Sequence, residues 1–259
     1  MKSIFTAAAK KPKQLYLTID DGPSEYTNEI ISLLKSHDIP AVFFFRGDSL
    51  INRIEIGVNA IKNGFLIGNH SYTHTAYSTM PNQDFFDEII KTESLIDECY
   101  LRSHVKREIK VIRLPYGDRG AGNYLAQPTN EDQKEKVNAL QNFMKQAGFQ
   151  SLNFSDTSSD EDLLIDAKWT IDAKDYLSKH KDNEDLHLEN LNNALLQSTN
   201  TTDIILMHDF RHELGRSDHL VKCSIQYLLN KNIIFLPIKI KSLQEMHQKS
   251  LGFSMRKYN

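Results

Sequence analysis

Five short polar clusters in this chain combine residue types that do chemistry. The first is Asp20-Asp21, adjacent carboxylates that close the apolar run 15–19 and precede Gly22-Pro23. Like charges this close resist joint ionisation. A divalent ion held by one supplies the missing positive charge and leaves the other as a base. The second cluster is His70-Ser-Tyr-Thr-His74. Imidazoles four residues apart lie on one face of a helical turn and can share an ion. A carboxylate from a neighbouring strand end would complete a two-His-one-Asp set, which suits Zn²⁺ or another first-row divalent ion and leaves room for water and substrate. The third, Arg113-Leu-Pro-Tyr-Gly117, offers a guanidinium able to grip a carboxylate. It also has a rigid turn whose Tyr116 N–H could face a developing oxyanion. The fourth, Trp169-Thr-Ile-Asp172-Ala-Lys-Asp175-Tyr176, places Asp172 at the end of a short strand. The fifth ends an apolar strand in His208-Asp209. A carboxylate partner such as Asp172 would raise the pKa of His208 and suit it to general-acid work.

Each cluster also has an ordinary reading. Asp-Asp-Gly-Pro makes a turn with a helix cap, and a lone H-x-x-x-H is met as two surface histidines. Arg113 reads as a surface salt bridge, Asp172 as the entry to a capped helix, and a single strand-end histidine as a core residue. Their shared position favours the chemical reading. Apolar strands are expected at 15–19, 41–45, 65–67, 110–114, 149–154, 169–172, 203–207 and 233–238. Helical periodicity is expected at 24–37, 50–62, 82–104, 131–147, 186–197 and 218–230. Strand and helix alternate throughout, which argues for one parallel α/β domain over residues 1–259. In such domains chemistry collects at the carboxyl ends of strands, and every cluster lies at one. Two polar segments, 118–129 and 155–162, interrupt the alternation and read as loops that shape the site.

The 259 residues and 40% hydrophobic content suit an ordinary core. A net charge of −3 without a long basic run argues against nucleic acid as a partner. Cys99 and Cys223 lack metal-like spacing and read as buried free thiols. No stretch is long and apolar enough to span a membrane. Lys10, Lys11 and Lys13 interrupt what would be the apolar part of a secretory signal. A cytoplasmic location is therefore the expectation, and export by another route would read the same.

Together TIDDGP, HSYTH, RLPYG, DAKDY and LMHD, in this order, resemble the five motifs of the polysaccharide deacetylase family, the NodB-homology domain of carbohydrate esterase family 4. AVFFFRG and NGFLIGNH are similar to the family's spacers, and the resemblance runs over about residues 15–238. It implies an irregular (β/α) barrel, TIM-like but distorted, with a groove across its carboxyl end. It implies Asp20 as general base, Asp21, His70 and His74 as metal ligands, Arg113 holding Asp20, and Asp172 tuning the general acid His208. The Tyr116 N–H would hold the oxyanion, while Tyr176, Leu206 and Trp169 would line the substrate pocket. The cofactor implied is Zn, or another divalent metal such as Co, Ni or Mn. The implied substrate is a carbohydrate with N-acetylated hexosamines, such as chitin, peptidoglycan or poly-N-acetylglucosamine, with release of acetate.

Two residues depart from the pattern. Tyr176 stands where the family's fourth motif normally ends in Trp, and Thr75 replaces a proline that often follows the second histidine. Three rivals follow. One is an intracellular deacetylase or deformylase of a small or lipid-linked amino sugar. Another is a non-catalytic carbohydrate-binding relative. The third, a metal-dependent phosphoesterase, would want ligands for a second ion.

Overall fold

The structure is a computed structural model. It describes residues 12–124, 126–152, 164–177, 183–209, 211–212, 215–216 and 218–238. Its strands are β1 (Gln14–Asp20), β2 (Ala41–Phe45), β3 (Leu66–Asn69), β4 (Ile171–Asp172), β5 (Thr202–His208), β6 (Arg211–His212), β7 (Gly215–Arg216) and β8 (Ile234–Phe235). Its α-helices are α1 (Thr27–Ser36), α2 (Gly47–Leu50), α3 (Ile54–Lys62), α4 (Asn82–Ser103), α5 (Glu131–Gln146), α6 (Glu184–Gln197) and α7 (Asp218–Asn230). The main sheet is parallel, in the order β3-β2-β1-β5-β4 with β8 against β1, and β6 and β7 form a separate antiparallel pair.

Side chains alternate across each strand, and this sorts the sheet into two faces. Leu15, Leu17, Ile19, Phe43, Phe45, Ile67, Ile205 and Met207 lie in the core shared with α1, α3, α4, α6 and α7. The alternate residues Thr18, Asp20, Val42, Phe44, Leu206 and His208 take the opposite, inner face. Val42 and Phe44 pack there with Val111, Leu152 and Ala167. The polar clusters thus share the inner face because they share the parity of their strands.

The fourth expected strand, 110–114, is held by single bridges, Asn69 to Ile112 and Lys110 to Phe149. Its inner edge is regular: Asn69 N–H donates to Val111 and Arg113 N–H to Asn69, both at 2.9 Å. Its far edge is divided. Gln150 N–H donates to Lys110 at 2.9 Å and Ala167 N–H to Ile112 at 2.7 Å, so no single partner forms a ladder. The Ala167 bond bridges the two margins of the sheet, since residue 167 leads into β4. The sheet is rolled towards a barrel without a closing ladder. Of the strand expected at 149–154, Phe149 makes a single bridge, residues 150–152 are not in a strand, and residues 153–154 lie outside the described ones. The helix expected over 50–62 is split into α2 and α3 by residues 51–53. Segment 155–162 lies outside the described residues. No helix among the described residues is long and apolar enough to cross a membrane.

Candidate active site

Asp20 and His208 are register partners at the carboxyl ends of the adjacent parallel strands β1 and β5. Neighbouring strands run about 4.8 Å apart, so both side chains emerge on the inner face side by side. Asp20 is 2% exposed and meets Arg113, which is 1% exposed. Arg113 Nη1 donates to Asp20 Oδ1 at 2.9 Å and to Thr18 Oγ1 at 2.8 Å. Its Nε donates to the Ala167 carbonyl at 3.3 Å and its Nη2 to the Lys168 carbonyl at 2.8 Å. The guanidinium also lies over the Phe44 ring, 4.6 Å from its centroid. One buried cation therefore ties β1 to the segment that bridges the sheet margins. Asp20 Oδ2 points the other way, 3.6 Å from His70 Nε2.

Asp21, His70 and His74 bring their ligand atoms within 4.8 Å of one another. Asp21 Oδ1 lies 3.5 Å from His70 Nε2 and 3.2 Å from His74 Nε2. It is buried, with no hydrogen-bond partner among the described residues. An orphaned carboxylate oxygen facing two imidazole nitrogens is what a divalent ion would satisfy. His70 Nδ1 is 2.8 Å from the Arg113 carbonyl. A carbonyl only accepts, so Nδ1 carries the proton and Nε2 presents its lone pair to the centre. Burial and the neighbouring His70 charge push His74 down to about 4, against the pull of Asp21. That leaves a neutral imidazole near pH 7, the form that binds metal. Burial works to raise Asp21, but the facing His70 and the charges of His74 and His208 hold it well below the usual carboxylate range. These residues fit a single divalent ion.

The backbone reaches this arrangement through conformations that non-glycine residues seldom adopt. Asp21, Ser71, His74, Tyr116 and Lys174 have φ of 73°, 56°, 63°, 57° and 55°. Such angles persist where surrounding contacts over-determine them. Here the clamp on the histidine loop comes from α4. Glu88 Oε2 accepts the N–H groups of Tyr72 at 3.3 Å and Thr73 at 3.1 Å. Asn69 accepts Ser71 N–H at 2.9 Å and donates to Glu93 at 3.0 Å. At the other turn, the buried Asp209 carboxylate accepts the hydroxyls of Ser24 and Thr27. A Cβ on Gly22 would meet Asp209 Oδ2 at 2.8 Å and the Phe45 ring at 3.0 Å, so only glycine fits beside Asp21.

The carboxylate on His208 is Asp175. Its Oδ1 lies 2.7 Å from His208 Nδ1, and its Oδ2 accepts the His208 N–H at 2.8 Å. Burial lowers the His208 pKa, but the Asp175 charge and hydrogen bond outweigh it, and the ring is raised to about 9. The expectation that Asp172 tunes His208 is corrected. Asp172 accepts Lys174 N–H at 2.8 Å and the Tyr176 hydroxyl at 3.1 Å. The reason is geometric. The chain turns at positive-φ Lys174, and this carries the second carboxylate of D-A-K-D back under His208. The sequence offers two carboxylates in D-A-K-D, and the resemblance assigned the role to the first.

The residues expected to line a substrate pocket lie near these groups. The Tyr176 ring meets the His208 ring edge-on, with centroids 4.9 Å apart, and its phenol is pushed up to about 12 by burial and Asp172. Leu206 is buried on the inner face as the register partner of Asp172. Tyr116 is 57% exposed, with its ring 4.7 Å from that of His74. The turn's hydrogen bonds run from Gly117 to Leu114 and from Asp118 to Pro115, so they bypass the Tyr116 N–H. Trp169 stacks on Tyr124 at 3.8 Å, a partner that the sequence did not mark. The loop expected at 118–129 is tied by Asp118, which accepts Gly120 and Gly122 N–H groups at 2.8 and 3.0 Å. Cys99 is buried and Cys223 half-buried; burial pushes both thiols up to about 12, which makes them poor nucleophiles.

Comparison with known proteins gives the same picture. The family model described as polysaccharide deacetylase matches residues 7–135. A peptidoglycan-N-acetylglucosamine deacetylase of Bacillus cereus is 26% identical over 200 residues, covering 77% of this chain and 61% of that protein. A chitin deacetylase of Colletotrichum lindemuthianum is 31% identical over 147 residues, covering 49% of this chain and 55% of the other. The chain thus spans 61% and 55% of the length of these two relatives. Among solved structures, the catalytic domain of peptidoglycan N-acetylglucosamine deacetylase from Eubacterium rectale superposes with a TM-score of 0.62 at 22% identity, covering 91% of this chain and 92% of that one. With the motifs and the fold in agreement, the chain belongs to the polysaccharide deacetylase family.

Proposed function

We propose that this chain is a metal-dependent deacetylase that removes N-acetyl groups from a glycan containing N-acetylglucosamine and releases acetate. The observation that carries the reading is the pairing of Asp20 with His208 in register on adjacent strands, beside the Asp21–His70–His74 group. A proton acceptor, a proton donor and a cation site at one strand-end cluster are what amide hydrolysis by water requires. The relatives that act on peptidoglycan and chitin supply the substrate class.

Asp21, His70 and His74 would hold the ion, with zinc, cobalt, nickel or manganese as candidates. When bound, it would polarise the amide carbonyl and acidify water towards pKa 7. Asp20 Oδ2, the oxygen not engaged by Arg113, takes the proton of the attacking water. The Tyr116 N–H donates to the oxyanion that develops on the former carbonyl oxygen. His208, protonated through its pairing with Asp175, gives a proton from Nε2 to the departing amine nitrogen as the C–N bond breaks. The products are acetate and a free amine, and no covalent enzyme intermediate forms.

The test is acetate and amine release from N-acetylglucosamine oligomers by the metal-supplemented protein, with chelated protein as the comparison. Release that a chelator abolishes and metal restores supports the reading. Tight binding of the oligomers with no release in any metal would refute it in favour of a carbohydrate-binding role.

A further inference from the structure

We propose that Arg46 is a specificity residue whose guanidinium receives an anionic group, a carboxylate or phosphate, carried by the sugar next to the one that is deacetylated. The proposal rests on the deacetylase reading above and narrows its substrate to an anionic glycan.

Arg46 directly follows β2 and is wedged between the two ligand-bearing segments. Its N–H donates to the Gly22 carbonyl at 2.9 Å, beside Asp21. The next two N–H groups, of Gly47 and Asp48, donate to Ser71 at 2.9 Å and Tyr72 at 3.0 Å, inside the histidine loop. A side chain on Gly47 would collide with Tyr72 and Thr92, so this close approach of the two segments is fixed. The guanidinium is fixed too. Nε donates to Asp48 Oδ1 at 3.1 Å and Nη2 to Asp48 Oδ2 at 2.6 Å.

That fork uses one edge of the group. Arginine carries five N–H donors, and Nη1 has no partner among the described residues. Nη1 is not among the buried unpaired atoms, and the Arg46 side chain is 27% exposed. The open edge, Nη1 with the second hydrogen of Nη2, has the spacing that grips a carboxylate or phosphate in two parallel bonds. Asp21 and the exposed Tyr116 both act on the Arg46 charge, and that charge in turn opposes protonation of His74. The backbone bonds to residues 22, 71 and 72 set Arg46 beside both ligand-bearing segments, and in the proposal its open edge lies where an adjoining sugar would pass. A neutral amide could staple residues 46–48 without placing a positive charge beside a cation site. Asp48 orients and partly offsets the charge, leaving the outer edge for a ligand.

The experiment compares kcat/KM for acetate release on three oligosaccharides of equal length. One is wholly N-acetylglucosamine, one has a carboxylate on the neighbouring sugar, and one has a phosphate there. The metal-loaded protein should prefer an anionic substrate by roughly tenfold or more, about the worth of one charge-assisted hydrogen bond. The preference should reside in KM and weaken with added salt. R46Q should bring the ratio near one, and Arg46→Lys should restore part of it. The carboxylate and phosphate arms identify which anion is read. Because each figure is a ratio on one preparation, a partly misfolded variant does not disturb it. A wild-type ratio near one, or a ratio unchanged in R46Q, overturns the proposal. Failure of the deacetylase reading is distinct: no acetate from any substrate. Calorimetric binding of the same three oligosaccharides to wild type and R46Q then decides whether Arg46 reads the anion, by the same ratio.

Discussion

Replacing Asp175 with asparagine separates the two carboxylates that the D-A-K-D motif offers to His208. With Asp175 in place His208 is raised to about 9 from an ordinary 6.5. The difference is worth roughly 3 kcal/mol, at 1.36 kcal/mol per pH unit. Asn keeps the size and a carbonyl acceptor but removes the charge, so the alkaline limb of kcat/KM should move from near 9 towards 6.5. At pH 8 a group of pKa 9 is about nine-tenths protonated, and one of pKa 6.5 about 3% protonated. Asp175→Asn should therefore lose up to ~30-fold in acetate release at pH 8 and recover most of it near pH 6. Burial works to lower His208 while Asp20 and Asp21 raise it, so ~30-fold is the figure for a return to the ordinary 6.5. In Asp172→Asn the limb should stay in place, since that carboxylate holds Tyr176 and Lys174. A profile for Asp175→Asn that superimposes on wild type, or a limb that moves with Asp172 instead, would refute the assignment.

The same pairing has a stability signature. A raised His208 binds its proton more tightly when folded, so the stabilisation is complete below about pH 6.5 and is lost as pH rises through about 9. Unfolding followed by denaturant should show wild type losing up to ~3 kcal/mol between those values, with much of this change absent in Asp175→Asn. Asp20→Asn should leave metal content intact and lower turnover by about 10²–10⁴, the usual worth of a general base; His74→Ala should lose metal in a chelator competition. Reversal of those two outcomes would exchange the roles of base and ligand. Arg113→Met removes four hydrogen bonds and the charge that faces Asp20 and should cost about 3–5 kcal/mol, as when one partner of a buried pair is removed. A loss below about 1 kcal/mol by equilibrium unfolding would contradict the placement of Arg113.

The sequence made the sheet and the cation site legible for one reason: both depend on local pattern. Apolar runs at 15–19, 41–45 and 203–207 marked strands, with Asp20 and His208 at the ends of the first and last, and the register that sets the two side by side came from the structure. The two imidazoles were marked by their spacing, although residues 70–74 form a loop with positive φ at Ser71 and His74 and not the helical turn that the spacing suggested. Features fixed by chain reversal were not. Asp175 reaches His208 through the left-handed turn at Lys174, a conformation that sequence does not announce for a lysine. Glu88 acts on the histidine loop from α4 and lies in no motif, whereas Asn69 stands near the end of NGFLIGNH. The strand at 110–114 was legible as a strand, while its divided outer edge depends on two segments more than 30 residues downstream.

Arg113 has a consequence for how this molecule can change. The group that meets Asp20 is also the rivet between the two margins of the rolled sheet. Loss of Arg113 would strand a charge inside the rolled sheet and unfasten its seam in the same event. Loss of Asp20 would leave the rivet without its counter-ion. A lineage abandoning this chemistry would have to exchange both together, and until it did, architecture would preserve the catalytic pair after selection for turnover had ceased.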